Sequence, residues 1–183
     1  RETGEWITST NPGKPDEVVG EVAKARPQDV EDAIEAATCA FQSWKKMSAT
    51  GRASTLFKMA AILRRRKLEL AAWMVFELDK PWDEADGEVC EAIDFLEWYG
   101  RKAFEIAQPV PLAHLPDEAT EMVYVPLGVG VIIPPWNFPC AILTGMTMAP
   151  VAAGNAVILK PASNTPVIGY KMVEAMEEAG VPA

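Results

Sequence analysis

Two side chains in the carboxyl-terminal half carry the chemistry this sequence offers. Asn137 lies within Pro134-Pro135-Trp136-Asn137-Phe138-Pro139, and Lys160 heads Lys160-Pro161-Ala162-Ser163. Prolines on both sides of Asn137 restrict the backbone, so its carboxamide N–H is aimed before anything binds. A donor fixed in that way toward an oxygen gaining negative charge is worth about 3–4 kcal/mol of reaction barrier. The same amide could instead cap the helix that follows. The lysine ammonium offers three donors on a flexible stem, suited to hydroxyl or phosphate oxygens. A lysine after a strand is also an ordinary solvated end.

The flanking pattern determines where these groups stand. Val129 to Ile133 is a continuous apolar run, the signature of a strand buried on both faces, and Ala156 to Leu159 is a second buried strand. Between them, residues 139–153 form a helix-length segment, bent near Pro150 and stopped by Gly154. A right-handed strand–helix–strand unit follows. It puts Asn137 and Lys160 at the carboxyl edge of one parallel sheet, where open α/β sheets bind ligands. Thr165 and Pro166 then open a last helix as cap and first residue, with Ile168, Met172, Ala175, Met176 and Ala179 toward the sheet. Met122 to Val125 is a further expected strand.

Upstream, Glu5–Thr8 and Val18–Val22 read as strands around the turn Asn11-Pro12-Gly13-Lys14. Pro27 with Asp29 starts a helix that runs to about Trp44. A second helix carries Leu56, Met59, Ala60, Leu63, Leu70, Met74 and Leu78 on one stripe. A third carries Val89, Ala92, Ile93, Leu96, Tyr99, Ala103 and Ile106. Trp73, Phe76, Trp98 and Tyr99 are read as packing, and the run Arg64-Arg65-Arg66-Lys67 as a solvated helix face. The fold class is α/β, with helices preceding the parallel unit. Three stretches are expected: strands and a helical layer over 1–107, a proline-rich crossover over 108–120, and the strand–helix–strand–helix unit over 121–183. His114, the sole histidine, lies in the crossover and is given no role.

A net charge of −9 argues against a nucleic-acid surface, and no apolar helical run is long enough to cross a bilayer. Cys39, Cys90 and Cys140 have neither metal nor disulfide spacing, which points to a reducing, cytoplasmic setting. Cys140 is apolar-flanked and has no base beside it, so it reads as packing.

The string Pro135-Trp136-Asn137-Phe138-Pro139 followed by Leu159-Lys160-Pro161-Ala162 resembles the aldehyde dehydrogenase superfamily. The resemblance implies a partial, Rossmann-like cofactor domain that binds NAD without a Gly-x-Gly-x-x-Gly loop. It implies Asn137 as oxyanion donor and Lys160 as donor to the adenosine ribose. It places Ile133, Pro134, Pro135, Trp136, Ala162 and Ser163 along the cofactor, with Phe138 toward the aldehyde. Ser163 stands where NAD-strict members carry a glutamate, which implies that NADP is also accepted.

The catalytic cysteine and general-base glutamate of the family have no counterpart in residues 1–183. The chain therefore reads as an internal piece, inactive alone, whose full-length form is a homo-oligomer; surfaces left bare should make the piece self-associate. Gly87 to Phe95, the double proline and Pro161 to Pro166 look most like the branch that oxidises L-glutamate γ-semialdehyde (1-pyrroline-5-carboxylate) in proline catabolism. There Glu91 would meet the α-ammonium of this small aldehyde substrate, or would simply be a solvated helix glutamate. Another semialdehyde or aliphatic aldehyde dehydrogenase, or a non-catalytic nucleotide-binding paralogue, are the alternatives.

Overall fold

A computed structural model describes residues 3–114 and 116–182. Arg1, Glu2, Leu115 and Ala183, which the expected stretches include, lie outside the described residues. The chain opens with an antiparallel hairpin, β1 (Trp6–Asn11) and β2 (Lys14–Ala23). Asn11 builds its turn: the side-chain oxygen accepts from Gly13 N at 2.9 Å and the amide donates to Glu17 at 2.7 Å. Helix α1 (Pro27–Trp44) starts as expected, with Pro27 in the first turn and Arg26 N donating to the Asp29 carboxylate at 2.9 Å.

The expected second helix is two: α2 (Ala49–Arg65) and α3 (Lys67–Leu78). Arg66 leaves helical geometry at φ −93° and ψ 11° while its guanidinium is held by Glu69 at 2.7 Å and Glu174 at 3.1 Å. The kink keeps both Leu63 and Leu70 fully buried. The basic run is solvated at Arg64 and Arg65, as expected, and half-buried at Arg66 and Lys67. Arg64 pairs with Glu97, Arg65 with Glu178 and Lys67 with Asp86, because each side of the kink meets an acidic neighbour. Asp79, in the left-handed region at φ 54°, ends α3. Helix α4 (Trp82–Ile106) follows and packs against α2, α3 and α5. Its stripe is buried from Val89 to Ala103, whereas Ile106 is exposed. Phe76 and Trp98 are also exposed, at 49% and 57%, so these two are not packing: they lie off the buried stripes of α3 and α4.

Between Ile106 and Val129 no helix or strand forms among the described residues. Met122 to Val125 is not a strand, since no neighbouring backbone pairs with it, and all four side chains are exposed. Strand β3 (Val129–Ile132) pairs in parallel with β4 (Ala156–Leu159), Ile132 opposite Leu159. Double-faced burial does not hold for β3. Val131 and Ile133 are each 62% exposed while Ile132 is buried, because one face meets no layer among the described residues.

Helix α5 (Ala141–Ala152) joins the strands, with Pro150 inside it and Gly154 at φ +94° after it. Trp44 Nε1 and Arg52 Nε satisfy its last carbonyls at 2.9 and 2.8 Å. Helix α6 (Pro166–Ala179) buries the expected stripe, but against α2, α3 and β2 rather than the β3–β4 sheet. The helical layer, not the sheet, offers the apolar wall. Leu56, Met59, Leu63, Met74, Leu96, Leu143, Ile168 and Met172 form the resulting core, each worth about 1.5–3 kcal/mol of burial.

Candidate active site

Pairing ends at Ile132, and the chain then turns through Ile133-Pro134-Pro135-Trp136-Asn137-Phe138-Pro139 into α5. Pro134 and Pro139 are buried and anchor the two ends, while Ile133, Pro135, Trp136, Asn137 and Phe138 stand exposed on one loop. The Asn137 carboxamide has no hydrogen-bond partner among the described residues. It does not cap α5. That task falls to a side chain from another element: Glu88 of α4 accepts from Cys140 N at 2.8 Å and Ala141 N at 3.1 Å through Oε1. A carboxylate at the positive end of the helix macrodipole is favourably placed.

The second Glu88 oxygen pairs with the Lys80 ammonium, and both side chains are almost wholly buried, 8% exposed for Lys80 and 1% for Glu88. The same ammonium donates to the main-chain oxygen of Asn137 at 3.1 Å and lies 4.3 Å from the centroid of the Phe138 ring. Sequence reasoning missed both residues. One signal for Glu88 was available: it is in phase with Ala85, Ala92 and Leu96, so a carboxylate had to enter the core there.

Lys160 follows β4 directly, and its backbone N–H donates to Ile132 O at 2.9 Å, locking the ends of the two strands together. Its ammonium is exposed and has no ion-pair partner among the described residues. Pro161 and Ala162 are half-buried, Ser163 is exposed, and Thr165 N closes the turn on Ala162 O at 3.1 Å. Thr165 precedes α6 as expected, but its buried side chain makes no capping bond. Glu77 takes the role: Val167 N donates to it at 2.9 Å, Ile168 N at 2.8 Å and the Ser9 hydroxyl at 2.7 Å. Burial pushes the Glu77 carboxyl above its ordinary range, while the Ile168, Val167 and Ser9 donors pull it back without cancelling the rise. Glu77, like Glu88, sits in phase with buried neighbours, here Leu70 and Met74.

The sheet thus brings the 133–138 loop and the turn carrying Lys160, Ala162 and Ser163 to the same carboxyl edge. Glu91 stands apart. It is exposed on α4, one turn beyond Glu88, with no hydrogen bond or ion pair among the described residues. Cys140 is fully buried with Sγ 3.6 Å from Met172 Sδ. Burial, then the nearby Glu88 charge, holds its thiol well above the usual range. Among the described residues no three side chains form a metal site.

The model of the aldehyde dehydrogenase family matches residues 1–183. The chain belongs to the aldehyde dehydrogenase family. This aldehyde dehydrogenase chain is 52% identical over 180 residues to the 1-pyrroline-5-carboxylate dehydrogenase of Oceanobacillus iheyensis, covering 98% of the chain and 35% of that protein. It superposes on a Thermus 1-pyrroline-5-carboxylate dehydrogenase with bound NAD at a TM-score of 0.96 and 50% identity, over 99% of this chain and 35% of that one. Proline utilization A from Bdellovibrio bacteriovorus, inactivated by N-propargylglycine, matches at a TM-score of 0.97 and 38% identity, over 100% and 19%. The aldehyde dehydrogenase chain spans about a third of the length of the 1-pyrroline-5-carboxylate dehydrogenases it matches.

Proposed function

We propose that this chain supplies the dinucleotide-binding strands and the oxyanion donor of an NAD-dependent enzyme that oxidises L-glutamate γ-semialdehyde to L-glutamate in proline catabolism. The observation that carries the reading is the pairing of two unsatisfied donors, the Asn137 carboxamide and the Lys160 ammonium, at the carboxyl ends of neighbouring parallel strands. The likeness to 1-pyrroline-5-carboxylate dehydrogenases, one of them with bound NAD, supports the same choice.

The residues present fit a dinucleotide. Lys160 offers three donors with no acidic partner among the described residues, which suits ribose hydroxyls. Ile133 and Trp136 offer exposed apolar surface for a ring, beside Pro134, Pro135 and Ala162. Ser163 is exposed and neutral, so nothing at that position repels a 2′-phosphate, and NADP should be accepted too. When bound, NAD supplies the hydride acceptor for the aldehyde carbon. Asn137 donates its carboxamide N–H to the aldehyde oxygen as that carbon becomes tetrahedral. Phe138 walls the aldehyde side, and Glu91 receives the α-ammonium of the substrate.

The nucleophilic thiol that forms the thioester, and the base that activates water, are assigned outside residues 1–183, since Cys140 is sealed in the core. The same reading makes the full-length protein a cytoplasmic homo-oligomer acting on a small molecule, without nucleic-acid or membrane partners. The acidic balance speaks against a nucleic-acid surface, and no helix of the described chain is long and apolar enough to cross a membrane.

Calorimetry of NAD and NADP with this chain and its Lys160→Ala form tests the cofactor half, with binding expected to vanish in the variant. Steady-state kinetics of the full-length enzyme tests the rest. Turnover of an aliphatic aldehyde without turnover of the γ-semialdehyde would overturn the substrate, and absence of NADP turnover at matched ionic strength would overturn the role of Ser163. Replacing Glu91 with Ala should raise KM for the semialdehyde alone.

A further inference from the structure

We propose that Lys80 and Glu88 are positioning residues for the oxyanion donor, an ion pair that fixes the turn at Asn137 itself and at its exit into α5 from outside the sheet. The inference rests on the role of Asn137 proposed above. The carboxamide of Asn137 touches no protein group among the described residues, so its aim is set by the main chain that carries it. That main chain is fixed at two points. Lys80 Nζ holds the carbonyl of Asn137 itself at 3.1 Å, and Glu88 holds the amides of Cys140 and Ala141, three and four residues on, at 2.8 and 3.1 Å. Since Lys80 and Glu88 are bonded to each other, the two points cannot move independently. Phe138, between them, is covered by the same ammonium.

Burial gives the pair its stiffness. A charge pair excluded from water has no alternative partners, and loosening it would strand a charge in the core. Prolines at 134, 135 and 139 limit the turn but leave the peptide planes on either side of Asn137 free to rotate. Lys80 closes that freedom at the Asn137 carbonyl, where a small rotation swings the whole side chain. Displacing a reacting group by about 1 Å can cost on the order of 100-fold in rate. Both side chains are buried behind the turn. They act through Asn137.

The test uses Lys80→Met, which keeps the buried stem and removes the charge, with Lys80→Arg as the conservative partner, in the full-length enzyme. Lys80→Met should lower the single-turnover rate of dinucleotide reduction by roughly 10- to 100-fold while leaving the NAD dissociation constant within twofold, and Lys80→Arg should recover most of the rate. In an Asn137→Ala background, Lys80→Met should cost nothing further. An equal additional loss there would overturn the inference, as would a wild-type rate in Lys80→Met. Should Lys80→Met fail to fold, Glu88→Gln is read the same way.

A second readout needs no activity. In this 183-residue chain, hydrogen exchange of the peptide over residues 137–141 should speed up in Lys80→Met, with the start of α6 unchanged. Unchanged exchange over 137–141 overturns the positioning role. A wild-type enzyme that oxidises no aldehyde, with exchange responding as expected, overturns the proposed function and leaves the mechanical link standing.

Discussion

At the scale of single residues, Asn137 and Cys140 lie three positions apart and have opposite environments. Asn137 presents a free amide to solvent; Cys140 is sealed beside Met172 with its thiol pushed well above the usual range. Replacing Asn137 with Ala should lower kcat of the full-length enzyme by about 10²–10³-fold, the loss expected for one oxyanion donor, with NAD affinity unchanged in calorimetry. Replacing Cys140 with Ala should leave kcat within a few-fold and cost about 1 kcal/mol of stability in urea unfolding, as a small core truncation does. Loss of all activity in that variant would make Cys140 a participant after all. The placement of Asn137, Lys160 and Ser163 at one sheet edge was legible in the sequence because each motif lies on one continuous stretch. Lys80, Glu77 and Glu88 were not, because the backbone groups they hold lie 52 to 91 residues away from each carboxylate and 57 from the lysine.

At the scale of elements, the two loops at the sheet edge are held by helices behind them. Gly169 of α6 packs on Pro161, and a Cβ there would lie 2.8 and 2.9 Å from two ring carbons that cannot swing aside. Gly169→Ala should therefore displace the Lys160–Ala162 turn, weaken NAD binding several-fold and destabilise the fold by about 1–3 kcal/mol, the range for overpacking. Gly51→Ala is the control. Its Cβ would meet the Met47 side chain at 2.9 Å, which is flexible and 40% exposed, so stability should hold or rise by up to about 1 kcal/mol in the same unfolding assay. Start and stop signals placed α1 and α5 well, and periodicity placed α4 and α6. It overcounted burial on β3, because an apolar run records a face that wants a partner without showing whether these residues supply one. It fused α2 with α3 because the apolar stripe keeps its phase through Arg66.

At the scale of the whole molecule, Glu77 and Glu88 flank the α3–α4 corner and hold the starts of α6 and α5, so one corner ties the hairpin, both helices and both site loops together. The Glu77 carboxyl is raised by burial. A carboxyl whose folded value lies above its unfolded one, about 4.3, contributes stability that is complete below the unfolded value and is lost as pH rises through the folded one. The stability of the natural chain relative to Glu77→Gln should therefore fall as pH rises across that window, read as the difference of urea midpoints. A difference that grows with pH would show that the carboxylate form is the one the fold prefers.

The corner also dictates an order of events during synthesis. A chain emerging amino terminus first presents Glu77 about 90 residues before Val167 and Ile168 exist. At ribosomal speeds that gap is roughly 5–20 s. Throughout it, closing the helical layer would bury a carboxylate with no amide to meet it. Until the last helix of this unit has left the ribosome, closing the layer over Glu77 carries that desolvation cost.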